Sequence, residues 1–404
     1  MSPWGNGAPS PSALSPWKFS VVTPLLEGRS YGCVATMVRE EGHIYALAAS
    51  SADALLYTGS ESENVRVWKH PSVEEHGSLK SGSGSVKALL IVGDKVCSAH
   101  SDQKIRVWKR GGVSGPTNYR RLATLPTMKD QIQDSVNPKN FVSVRRHHRA
   151  LWIKHVDAIS SLACNEQEGL LYSGSWDKTV KLWRMSDWRC IESIRAHDDA
   201  VNSVAVGPDG SLFTGSADCT VKVWKRHKAR HVLSQTLGVG QSTVNGVAVS
   251  ADGAVLYAGS ANGIVNYWEK EKTSSLMQHA GSLRGHTLAV LCVATVTNLV
   301  ISGSADKTIR VWRRDNAGTL HSCFAVLQGH TAPVKCIAAT LDVFNDCISL
   351  YSGSLDRSVK VWWIRNTPSD NADADLDPEY YAPNPVLSPP RVQQIAGDAD
   401  TKNL

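Results

Sequence analysis

Leu171 to Trp183 reads LYSGSWDKTVKLW, two apolar runs parted by a small polar turn and closed by tryptophan. The same form recurs as LYTGSESENVRVW ending at Trp68, VCSAHSDQKIRVW at Trp108 and LFTGSADCTVKVW at Trp224. It returns as LYAGSANGIVNYW at Trp268, VISGSADKTIRVW at Trp312 and LYSGSLDRSVKVW at Trp362. Apolar, β-branched runs on either side predict two strands, with GSWDK as the turn between them. Seven copies, most about forty residues apart, imply sheets arranged radially, each burying its faces against its neighbours. The chain is expected to be all-β: a seven-bladed propeller with four antiparallel strands per blade.

The remaining strands flank each copy. Upstream lie segments such as ISSLAC (Ile159 to Cys164) and VNSVAV (Val201 to Val206), and downstream CIESIRA (Cys190 to Ala196) and FAVLQG (Phe324 to Gly329). The last copy has no downstream strand, whereas CVATMVRE (Cys33 to Glu40) precedes the first copy without a sheet of its own. Pairing the two closes the ring and covers an open sheet edge. The expected boundaries are a Ser/Pro-rich disordered N-terminus over 1–29, the propeller over 30–364 and a disordered acidic Pro-rich tail over 365–404. Successive tryptophans stand 40, 75, 41, 44, 44 and 50 residues apart. The gap of 75 places an insertion at 126–154 between the second and third blades, and the gap of 50 a longer hairpin around LDVFND (Leu341 to Asp346). Connections longer than about 12 residues are usually functional or disordered.

Bulk properties bound the function. The chain has 404 residues and a formal charge of +6, with −4 from Ile364 onward and therefore +10 before it. A basic body with an acidic tail points to acidic partners, or to a tail that competes with them. No apolar run is long enough to span a membrane. The N-terminal stretch lacks the basic start and apolar core of a secretory signal, and it has no arginine before Arg29. Nine cysteines without a CxxC pair suit buried hydrophobes in a reducing compartment; Cys164, Cys292 and Cys336 are placed at the ends of first strands. No cofactor or metal is expected.

The repeat resembles the WD-repeat family over roughly residues 30 to 363. In that family a His before the first strand, a Ser or Thr in the second, a turn Asp and the third-strand Trp form a hydrogen-bonded chain. Four blades carry all four types: His155, Ser173, Asp177, Trp183; His197, Thr214, Asp218, Trp224; His286, Ser302, Asp306, Trp312; and His330, Ser352, Asp356, Trp362. Such groups satisfy one another when buried, because the indole needs an acceptor and the carboxylate needs donors. A Ser-His-Asp hydrolase reading fails, since four copies of one active site, each under a Trp, make no enzyme. The first blade has Ser62 in the Asp position, the second lacks the His, and the fifth has Gly240, Ala258 and Asn262 beside Trp268.

Each motif Trp is followed not by Asp but by Lys69, Lys109, Arg184, Lys225, Glu269, Arg313 or Trp363. The family's Trp-Asp-x-Arg signature of ubiquitin-ligase receptors is therefore missing, which disfavours that role. The basic residues form a rim that is either a solvated charge band or, as the alternative function, the face of an RNA- or ribosome-associated factor. The leading expectation is a non-enzymatic interaction scaffold. Its partner patch is placed at Trp176, Trp152, Arg145, Arg146 and Leu355, because Trp and Arg dominate interface hot spots. Packing under the 126–154 insertion is the competing role for Trp176. Trp-Lys in place of Trp-Asp, with LWIKHVDAISSLAC after the insertion, is similar to the plant JINGUBANG-type proteins. That resemblance implies a cytoplasmic and nuclear regulator of growth and development acting through partners such as TCP-class transcription factors.

Overall fold

The Gly-Ser pair of the repeat belongs to a strand, not to the turn. Gly174 and Ser175 end the strand Leu170–Ser175, and the chain reverses over 176–178, where Lys178 takes a φ of 73°. The physical reason is blade packing. A Cβ on Gly174 would stand 2.5 Å from Val204 of the next blade, and one on Gly215 2.5 Å from Val247. Only glycine lets successive sheets approach this closely.

The computed structural model describes residues 18–21, 30–38, 42–70, 72–111, 119–145, 148–271, 273–274, 276–315, 320–342 and 347–365. These fold into seven antiparallel blades around an axis and one separate two-stranded sheet. In the third blade the strands Ile159–Asn165, Leu170–Ser175, Thr179–Arg184 and Arg189–Arg195 run from the centre outward. The inner strands pack in succession, and that of the seventh blade, Val334–Asp342, meets that of the first, Ile44–Ser50. The core lies between blades. Tyr172 and Leu182 of the third blade, for instance, pack with Val201, Val204 and Trp224 of the fourth.

Closure is made by the chain's own beginning. Tyr31–Val38 pairs with the last strand, Ser358–Arg365, through Tyr31↔Ile364 to Val38↔Ser358. Met37, fully buried, joins Tyr351 and Val359 of the seventh blade to Ile44 and Trp68 of the first. The expected end of this strand at Glu40 lies outside the described residues. A short strand, Lys18–Val21, adds a fifth member to that sheet, with Lys18 opposite Val38. The expected disorder of 1–29 therefore fails at these four residues, because the outer edge of the closing strand offers free backbone groups. The rest of 1–29 and the tail from 366 lie outside the described residues, while Arg365 still belongs to the last strand.

The described residues of the insertion at 126–154 carry regular structure. A helix, α1 (Met128–Ser135), is capped by Thr127, whose Oγ1 accepts the Asp130 N–H at 3.2 Å. A hairpin of Phe141–Arg145 and His148–Leu151 follows. The longer hairpin expected before Trp362 is seen in the described residues, with Leu341 opposite Ile348 and Asp342 opposite Cys347. Cys292 and Cys336 lie near the start of their inner strands, not the end, with thiols toward the carbonyls of Val334 (3.8 Å) and Ile44 (3.9 Å) in the next blades. None of the nine cysteines is in a disulfide.

Candidate partner-binding face

The four complete quartets assemble as hydrogen-bonded chains. In the third blade the Trp183 indole N–H donates to Ser173 Oγ at 2.9 Å, and Ser173 donates to His155 Nε2 at 2.8 Å. His155 Nδ1–H, the tautomer this network requires, then donates to Asp177 Oδ2 at 2.8 Å. The fourth, sixth and seventh blades repeat the 2.8 Å His–Asp step through His197–Asp218, His286–Asp306 and His330–Asp356. Their indoles, Trp224, Trp312 and Trp362, reach Thr214, Ser302 and Ser352 at 3.0, 3.0 and 2.8 Å. A hydroxyl not anticipated from sequence completes each carboxylate: Thr179, Thr220, Thr308 and Ser358 donate at 2.6, 2.6, 2.6 and 2.5 Å.

Burial holds the His155 imidazole below its usual range, hence neutral. Burial opposes ionisation of Asp177, but His155, Thr179 and the Val156 N–H together keep its carboxyl well below the usual carboxylate range. Ser173 is fully buried and its oxygen takes the indole, so no substrate reaches it. These quartets brace corners of the blades.

The incomplete blades find other solutions. In the second, the missing His is supplied from an unforeseen place: His100, two residues past the Ser, accepts from Ser98 at 2.9 Å, and Ser98 accepts the Trp108 indole at 3.0 Å. Asp102 instead pairs with buried Arg106 at 2.6 Å. In the first blade Trp68 donates to Thr58 at 3.0 Å, while His43 Nδ1 turns to the Leu355 carbonyl of the seventh blade at 2.6 Å. The fifth blade offers no hydroxyl at Ala258. Among the described residues its Ser260 Oγ is buried without a hydrogen-bond partner.

On the face carrying the 176–178 turn, six inner strands contribute their second residue to the mouth of the central channel. Tyr45, Lys87, Ser160, Asn202, Asn245 and Lys335 line a cavity of about 320 Å³ with Trp176 at its border. The Lys87 ammonium sits 3.6 Å from the Tyr45 ring centroid, a cation–π contact. Burial first, and then neighbouring Lys335, pull the Lys87 pKa down. Asn202 and Asn245 each donate to the next inner strand, at Val244 and Val290, both at 2.9 Å. Two cations and three neutral polar groups around an aromatic rim suit a carboxylate-bearing segment. The signal was present in the sequence as the residue after each inner strand's first β-branched position, but it has meaning only once the strands form a ring.

Trp176 is 46% exposed, so it is not packed under the insertion. Its main-chain N–H donates to Ala158 at 3.1 Å, which fixes the turn. Of its supposed companions, Leu355 holds the matching turn position of the seventh blade, its N–H donating to Pro333 at 3.0 Å. Trp152 is half-buried beside the outer strands, its carbonyl accepting from Lys181, which also donates to Ser193 at 2.6 Å. Leu355 stands at the seam of the seventh and first blades. Arg145 ends a hairpin strand, and nothing of its side chain is described; Arg146 lies outside the described residues.

On the rim, basic residues past the motif Trp reach back to acidic groups of the preceding blade. Lys270 meets Asp209 and Arg314 meets Asp252, each at 2.7 Å, and Arg226–Glu168 and Arg110–Asp53 pair likewise. These second basic residues form an inter-blade girdle of ion pairs, while of the residues directly after the Trp, Lys109 meets Asp94 at 3.5 Å and Arg184 meets Asp187 at 2.7 Å within their own blades. Among the described residues no cluster could hold a metal ion, and no helix is long and apolar enough to cross a membrane.

The family model "WD domain, G-beta repeat" matches residues 32–69, 148–184, 188–225, 232–269, 277–313 and 321–362. The chain belongs to this WD-domain family. Its members are in general protein-interaction scaffolds. Five of the six WD-domain matches straddle blades, taking the outer strand of one and the inner three of the next, whereas 148–184 begins in the hairpin strand of the insertion. The second blade, whose His comes from within the motif, falls outside them. Human Striatin-4 is 29% identical over 195 residues, 42% of this chain and 26% of that protein. Mitochondrial division protein 1 of Schizosaccharomyces pombe is 27% identical over 169 residues, 41% of this chain and 24% of its own length. Periodic tryptophan protein 2 of Arabidopsis thaliana is 26% identical over 194 residues, 43% of this chain and 21% of its own. The matched stretches amount to about a quarter of each relative.

Proposed function

We propose that this WD-domain protein is a regulatory adaptor without catalytic chemistry of its own, holding a partner segment at the channel mouth. The observation that carries this is Trp176, exposed at the border of a cavity whose walls present Lys87 and Lys335. An aromatic anchor beside half-buried cations is what a peptide bearing an apolar and an acidic side chain needs. The resemblance to JINGUBANG-type proteins supports a TCP-class transcription factor as partner and a cytoplasmic and nuclear setting in plant growth. Arg110, Arg226 and Arg314 beside the motif Trp pair with acidic neighbours, which lessens the free charge left to the RNA-binding alternative.

The test is proximity labelling with the intact protein and with Trp176→Ala and Lys87→Glu. Both substitutions should empty the same set of labelled proteins, and Trp176→Ala, at an exposed site, should leave melting within about 2 °C of wild type. Unchanged labelling with Trp176→Ala would remove the channel mouth as the binding site.

A further inference from the structure

The insertion builds a second concavity, away from the channel. Helix α1, the hairpin and the chain leading into the third blade enclose about 560 Å³, lined among others by Gln131, Ile132, Phe141, Arg149 and Lys154. That volume falls in the range of ligand and peptide pockets.

The helix is turned inside out. Its buried residue is Asp130, which caps against Thr127 at 2.7 Å and meets Arg189 of the third blade at 3.2 Å. Met128, Ile132 and Val136, four residues apart and so on one face, are instead 71%, 63% and 79% exposed. An isolated exposed apolar residue needs no explanation, but an aligned stripe beside a concavity does. The insertion is also held in place: Trp152 N–H donates to Asn140 at 2.9 Å, and Lys181 anchors Trp152 from below. Leu151 and Ile153 are buried.

Charge decides the occupant. Among the described residues lining the groove, Arg149 and Lys154 are exposed cations, no lining residue is a carboxylate, and His155 is buried against Asp177. We propose that this groove is a second docking site, taking a partner segment in which apolar side chains alternate with carboxylates. The apolar groups cover Ile132 and Phe141, and the acids pair with Arg149 and Lys154. The site is independent of the channel mouth, so one partner can be held at two points or two partners at once.

The experiment titrates the full chain against fluorescein-labelled 15-residue peptides alternating Leu or Phe with Asp or Glu, read by anisotropy, with Lys-for-acid peptides as controls. Saturable binding of the acidic peptides, weakened about tenfold or more by Ile132→Asp and by Arg149→Glu, is expected. The binding that persists in a Trp176→Ala background is this site's, which separates it from the channel. Both variants alter exposed side chains, and an unshifted melting temperature confirms that they fold. Equal affinity for the Lys peptides, no saturable binding to any acidic peptide, or indifference to both variants overturns the proposal. A dimer in sedimentation equilibrium that Ile132→Asp dissociates would overturn it too, giving the groove to a second copy of the chain.

Discussion

Arg314 of the sixth blade donates to Asp252 of the fifth at 2.7 Å, across the seam between two sheets. Burial opposes ionisation of Asp252, but the Ser250 hydroxyl, the Ala254 N–H and Arg314 bring its pKa down to about 2. A carboxyl depressed in the folded state stabilises above its unfolded pKa of about 3.9, and the gain is lost as pH falls toward the folded value. A double-mutant cycle of Asp252→Asn with Arg314→Gln should give a coupling of about 0.2–1 kcal/mol, falling in high salt. A coupling of zero at low salt would make the girdle ornamental.

His100 gives a pH signature of its own. Burial lowers its pKa to about 4, against about 6.5 in the unfolded chain. Its stabilisation is complete above pH 6.5 and is lost as pH falls toward 4, where the unfolded chain takes up the proton first. Burial lowers the pKa of His155, His197 and His286 too, so they add to the loss of stability as pH falls below about 6.5. His100→Ala should cost about 1–3 kcal/mol at pH 7.5 by leaving the Ser98 hydroxyl without its acceptor, as read from urea titrations. Its deficit should shrink at pH 5.

Ring closure rests on the strand Tyr31–Val38, where Lys360 also donates to Thr36 at 2.9 Å. Removing residues through Val21 takes only an edge strand and should lower the melting temperature modestly. Removing residues through Val38 exposes the last strand and Met37's pocket, and should replace the single calorimetric transition with a broad one. Met37→Ala alone should cost about 2–5 kcal/mol. Equal transitions for both truncations would mean the ring is closed elsewhere.

The fifth blade should be the softest. Its indole, Trp268, packs edge-on to His279 at 5.8 Å but has Ala258 where other blades place a hydroxyl. Amides of Val265–Lys270 should exchange with deuterium faster than those of Thr220–His227 in the fourth blade. Ala258→Ser should slow them; equal rates in the wild-type protein would show that the quartets add nothing locally.

The thirteen-residue repeat and the unpaired segment near Cys33 were enough to read the blades, their number and the closing strand, because strand alternation and repeat period are local properties of a sequence. The quartets were legible for the same reason: each is drawn from one period at fixed offsets. His100 escaped because a hydrogen bond asks only for an atom in the right place, and two positions in the chain can deliver an imidazole there. The turn glycine was misplaced because its neighbour, Val204, is thirty residues away and in another sheet. Trp176 stood out in the sequence, but its surroundings did not. Lys87, Lys335 and Tyr45 come from three blades and converge only when the sheets close on an axis. Sequence alone determined the ring and its braces, whereas the sites on it depended on which side chains that ring brings face to face, since distances across the axis are set by closure and not by spacing along the chain.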